Sequence, residues 1–123
     1  DRFGERTGYF AHVLAVPPFV TDAGRFTLTS TEAACIDPCH LLALEDSDAV
    51  LATKPDMTTM ARQSAAVVVA TMWDEMRTYL AIDCGTAINA AAMTGYGGAF
   101  LCGRLSYVFN FGGTCAGVDT ECS

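Results

Sequence analysis

The chain has 123 residues, a net charge of −7 and 51% hydrophobic residues, with a mean hydropathy of +0.30 and a pI near 4.5. That length allows one domain with a modest core, and the apolar balance is high for so small a unit, as in a piece of a larger domain. An acidic surface does not attract phosphate backbones or anionic lipid, so neither nucleic acid nor a membrane is an expected partner.

Asp1 opens a charged start without the apolar stretch of a signal peptide, and the apolar run 65–70 is too short to span a bilayer. The expected location is cytoplasmic. Six cysteines (35, 39, 84, 102, 115, 122) admit a secreted disulfide framework. The long apolar segments argue for buried thiols instead.

Residues 1–25 read as irregular, punctuated by Pro17-Pro18 and three glycines. His12 has no acidic or cysteine neighbour and reads as a surface histidine. Ser30 or Thr31 is placed to cap a short helix, and Asp37-Pro38 to cap and open a longer one with Leu41, Leu44, Asp48 and Leu51 on one face. Cys35, Cys39 and His40 are metal-ligand types, but Pro38 interrupts the turn between the cysteines and no second ligand pair exists. Residues 53–63 read as a loop with a turn at Lys54-Pro55-Asp56. The run 65–70 has the composition of a strand buried on both faces, as in a parallel sheet.

Asp74 and Glu75 are sequence neighbours, which usually point apart, so they read as solvated surface rather than an acid–base pair. An alanine-rich helix is expected within 82–93, ended by Gly95. In Gly95-Tyr96-Gly97-Gly98 the third glycine of a dinucleotide fingerprint is missing, since position 100 is Phe100. Leu105, Tyr107, Phe109 and Phe111 alternate with Ser106, Val108 and Asn110, a strand pattern broken by Gly112-Gly113. A second extended run, Cys115 to Val118, leads to Asp119-Thr120-Glu121-Cys122-Ser123.

That last stretch resembles the active-site segment of β-ketoacyl synthases, most closely those of polyketide synthases and type I fatty acid synthases. The matching residues are Gly103, Arg104, Ser106, Tyr107, Phe109, Gly113, Val118, Asp119, Thr120, Cys122 and Ser123. A looser match runs through Phe26, Ser30, Glu32, Ala33, Asp37, Pro38, Leu42, Leu44 and Glu45; His40 and Leu41 depart from the polar and arginine residues of the family. Thr114 replaces a proline, and Glu121 replaces the small residue before the nucleophile. A carboxylate there favours the protonated thiol.

The resemblance implies an α/β fold of the thiolase type, layered α/β/α/β/α, of which residues 1–123 would be most of the first half. It implies that Cys122 is the catalytic nucleophile, activated at the start of a helix. No cofactor would be bound directly: acyl groups would arrive on the phosphopantetheine of an acyl carrier protein. The reaction implied is a decarboxylative Claisen condensation with a malonyl-type extender, in polyketide or fatty acid synthesis. Two histidines of the family follow the nucleophile and match neither His12 nor His40, so the 123 residues alone are expected to condense nothing. The implied partners are the carrier protein, other synthase domains and a second copy, with Thr114 to Val118 at the dimer interface. A non-catalytic family member, silenced by Glu121, is the alternative.

Overall fold

A computed structural model of the chain describes residues 22–54, 56–72 and 90–119. His12, Asp74, Glu75, Cys84, Glu121 and Cys122 lie outside the described residues.

A short 3-10 turn, Ala23–Phe26, is capped by the Asp22 side chain, which accepts from the Arg25 amide. Helix α1, Ser30–Ala33, follows. Its cap is Thr29 rather than Ser30 or Thr31: the Thr29 hydroxyl accepts from the Glu32 amide while Glu32 Oε2 accepts from the Thr29 amide at 2.9 Å. This reciprocal pair needs Thr three residues before Glu, and only Thr29 has that spacing.

Helix α2, Pro38–Ala52, begins as expected, with Asp37 accepting from the Cys39 amide and proline in the first turn. Leu41 and Leu44 are buried on its apolar face. Asp48 on that face is paired with Arg25, which explains its place there. The stretch expected to be a loop contains helix α3, Thr59–Ser64, capped by the Thr58 hydroxyl. It buries no residue, so it carries no apolar stripe for periodicity to detect.

Strand β1 is Val67–Ala70 and strand β2 is Cys115–Val118. They pair in parallel, Val67 opposite Cys115 and Ala70 opposite Val118. β1 is half-buried on one face only: Val67 and Val69 are covered while Val68 is 66% exposed. Between the strands lie α4, Ala90–Gly95, and α5, Gly98–Phe109. α4 stops at Gly95 as expected.

The expected strand over Leu105 to Phe111 is instead the C-terminal part of α5, to Phe109, and the residues that end it. Two periods compete in this stretch. The alternation puts Tyr107 on the face of Leu105 and Phe109, yet Tyr107 is 80% exposed. The helical set Leu101, Cys102, Leu105 and Phe109 is buried, and it begins before the alternation does. Asn110 ends the helix in the left-handed region at φ 56°, its amide bonding back to Ser106 and Tyr107. Gly112 and Gly113 therefore follow a helix, not a strand. A Cβ on Gly113 would lie 2.5 Å from the Ala65 carbonyl oxygen, so the backbone passes there only without a side chain.

α5 packs on both strands and on α2. The core joins Phe26, Leu28, Ile36, Leu41, Leu44, Leu101, Leu105 and Phe109, with Val67 and Val69 against it. Among the described residues no helix is long and apolar enough to cross a membrane.

Candidate active site

The two parallel strands end side by side, and the start of α5 lies across their ends. The Thr71 amide donates to the Val118 carbonyl at 3.1 Å, carrying the pairing one residue past β1. Gly98 is pressed against Thr71, since a Cβ on it would lie 2.3 Å from the Thr71 hydroxyl. Gly117 meets the backbone of Gly98 and Ala99 less tightly, a Cβ there lying 3.1 Å from the Gly98 carbonyl carbon.

A cleft of about 240 Å³ opens at this edge, lined by Thr71, Met72, Gly97, Gly98, Ala99, Gly117, Val118 and Asp119. Gly97 precedes the helix at φ +95° and offers no capping side chain. Helix amides at such an end have no partner within the helix and carry its partial positive charge. Ligands of open parallel sheets bind at the carboxyl ends of the strands, and this is that end. Asp119 is the carboxylate among the lining residues, three positions before Cys122 in the sequence.

A second cavity, about 290 Å³, lies between α5 and the turn before α1, lined by Phe26, Glu32, Phe100, Arg104 and Tyr107 among others. No strand residue borders it, though Ala99 lines both cavities.

The glycine loop that borders the first cleft is held from below. The Asp37 amide donates to the Gly95 carbonyl at 2.7 Å. Arg104 Nη2 donates to the Thr94 carbonyl at 3.1 Å, and Arg104 Nη1 lies 3.8 Å from Glu32 Oε1. Hydrogen bonds from the backbone and hydroxyl of Thr29, with Arg104 beside it, hold the Glu32 carboxyl below its usual range. His40 is 3% exposed; burial lowers its pKa to about 4, Arg104 adding to the effect and Asp37 and the Gly97 backbone opposing it. His40 Nδ1 is buried without a partner.

Arg104, matched to the family motif without an assigned role, thus ties α5 to α1 and to the end of α4. Cys35 is buried and Cys39 exposed, so these two do not converge with His40. Among the described residues no group of three His, Cys, Asp or Glu side chains is placed to hold a metal ion. Sequence reasoning tested the glycine cluster only for nucleotide binding and missed it as cleft wall. The signal was present: three glycines among four residues mark a close backbone approach.

The model of the β-ketoacyl synthase family's N-terminal domain matches residues 6–123. Desertorin synthase of Aspergillus desertorum is 34% identical over 110 residues, which is 86% of this chain and 6% of that protein. A non-reducing polyketide synthase of Aspergillus flavus is similar to the same degree, 34% over 110 residues, again 86% and 6%. A spectinabilin polyketide synthase system protein of Streptomyces orinoci is 33% identical over 103 residues, 83% of this chain and 5% of that protein. The chain spans 5–6% of the length of these relatives.

Proposed function

The chain belongs to the β-ketoacyl synthase family through its N-terminal domain, and on that premise we propose that it carries the acyl-accepting thiol of a polyketide synthase. The observation that carries the reading is the course of β2. Its last residue, Val118, and Asp119 after it border the cleft at the carboxyl end of the sheet, and Thr120-Glu121-Cys122 follow directly in the sequence. Three residues reach at most about 11 Å, which ties Cys122 to this end of the sheet. The fold we assign to the whole domain is thiolase-like.

The chemistry follows from the thiol. Cys122 attacks the carbonyl carbon of an acyl thioester on the phosphopantetheine of an acyl carrier protein. The carrier thiol leaves and the acyl group stays on Cys122. Backbone amides near a helix start stabilise the thioester oxyanion. An extender of the malonyl type then loses carbon dioxide, and its carbanion displaces Cys122 from the acyl group. The histidines for that step come from outside these residues: burial keeps His40 neutral down to about pH 4.

The test is acyl loading of the intact protein from a short acyl thioester, read by peptide mass. The acyl mass is expected on the Cys122 peptide, and Cys122→Ala is expected to abolish both loading and condensation. An acyl group on another residue, with Cys122 unmodified, refutes the assignment. Glu121 favours one other reading, a non-catalytic member; an iodoacetamide rate at Cys122 no faster than at the other cysteines would select it.

A further inference from the structure

One wall of the first cleft is the bend at Tyr96 and Gly97, between the end of α4 and the start of α5. Gly97 takes φ +95°, and glycine at 95, 97 and 98 gives the bend little stiffness of its own. Its position is set by what surrounds it. Gly95 is pressed on the segment between α1 and α2, where a Cβ would lie 2.5 Å from the Cys35 carbonyl oxygen. Gly98 is pressed on Thr71. Arg104 closes the bend on itself: from the second turn of α5 it reaches back ten residues to the Thr94 carbonyl at 3.1 Å. Its other terminal nitrogen lies 3.8 Å from Glu32 Oε1. Glu32 is itself pinned, its Oε2 accepting from the amide and the hydroxyl of Thr29 at 2.9 and 2.8 Å.

The Arg104 side chain is 12% exposed, and its Nε is buried with no hydrogen-bond partner among the described residues. A buried unpaired donor is costly, and a partly buried ion pair returns little beyond the cost of removing its charges from water. The contacts of Arg104 and its unpaired Nε therefore offset one another in stability. What remains is geometry: a planar fork that fixes Thr94 and Glu32 at set positions. We propose that Arg104 is a positioning residue for acyl transfer to Cys122, holding the start of the 95–98 bend against the helix that follows it and so setting the cleft wall against the strand ends. The inference rests on the acyl-accepting role proposed for Cys122. Arg104 does not line this cleft, so it acts through the backbone at Thr94 and not on the substrate. Displacing the parts of a reacting site by about 1 Å lowers a rate on the order of 100-fold.

The test is single-turnover loading of the intact protein from a short acyl thioester, read at the Cys122 peptide as a rate constant and as the fraction of molecules loaded. Amide hydrogen exchange is measured on the same proteins. Arg104→Met keeps the apolar stem and much of the volume but loses both contacts. It is expected to load the same fraction of molecules, with the rate constant at saturating thioester down about 10–100-fold and faster exchange in the peptide covering residues 94–99. Arg104→Lys keeps the charge without the fork and is expected to fall between that variant and the wild type. Glu32→Gln keeps an acceptor for Thr29, removes the charge and is expected to slow loading less than Arg104→Met does. A merely structural role lowers the fraction loaded and leaves the rate constant of the loaded molecules alone; that result overturns the proposal. So does an unchanged rate constant, or unchanged exchange over 94–99, in Arg104→Met. If Arg104→Met does not fold, the same readouts on Arg104→Lys and Glu32→Gln decide. A wild-type protein that takes no acyl group at Cys122 is a separate outcome: it refutes the acyl-accepting reading and this inference with it.

Discussion

Acid should weaken this fold through one histidine. His40 is neutral in the folded protein because burial lowers its pKa to about 4 from an ordinary 6.5. Unfolding returns it to water, where it binds a proton below pH 6.5. The unfolded state therefore holds more protons between those two values, and stability falls as pH falls through that window. The gap is worth up to about 3 kcal/mol, at roughly 1.4 kcal/mol per unit. Below about pH 4 both states are protonated and this contribution stops changing. The control is His40→Gln, which keeps a side-chain N–H donor and does not titrate. Urea unfolding of both proteins from pH 7.5 to pH 4 cancels the carboxylates they share. The difference in unfolding free energy should grow steadily below pH 6.5 in favour of the variant. Parallel curves across that window would refute the reasoning and place His40 in contact with water.

Gly95→Ala should destabilise by about 1–3 kcal/mol in the same assay, because its Cβ would lie 2.5 Å from the Cys35 carbonyl oxygen. Gly103→Ala should stabilise by about 0.5–1 kcal/mol, since the site is helical and a Cβ meets nothing within 4 Å; a loss there would show that another segment packs on this face. Thr29→Ala should cost about 1 kcal/mol by removing the hydroxyl half of the α1 capping pair, while the backbone amide of residue 29 can still donate to Glu32. Asn110→Ala should cost roughly 1 kcal/mol, read from the thermal midpoint, because Ala tolerates φ 56° less well.

The elements legible in the sequence were those with one dominant signal. Asp37-Pro38 names a helix start whatever lies around it, and a β-branched run names a strand. The stretch from Leu105 to Phe111 carries two periods, and only the packing of α5 against α2 and the sheet decides between them. α3 escaped notice because it buries no residue. The proposed nucleophile, Cys122, rests on the motif alone. The cleft wall was not legible, because Thr71, Gly97 and Gly117 lie far apart in the chain and meet only when α5 crosses the strand ends.

Gly117 also acts as a key for strand alignment. A shift of β2 by one position would turn Ala116 or Val118 toward the helix, and a shift by two would present Cys115 or Asp119. Each of these would drive a side chain into the backbone at Gly98, where a Cβ already comes within 3.1 Å of the Gly98 carbonyl carbon. Any other residue in or just after β2 would force the backbone at Gly98 and Ala99 to give by a few tenths of an ångström, so misaligned pairings carry a steric penalty. The point at which the polypeptide leaves the sheet for Thr120 is thereby fixed to within one strand step of about 3.3 Å.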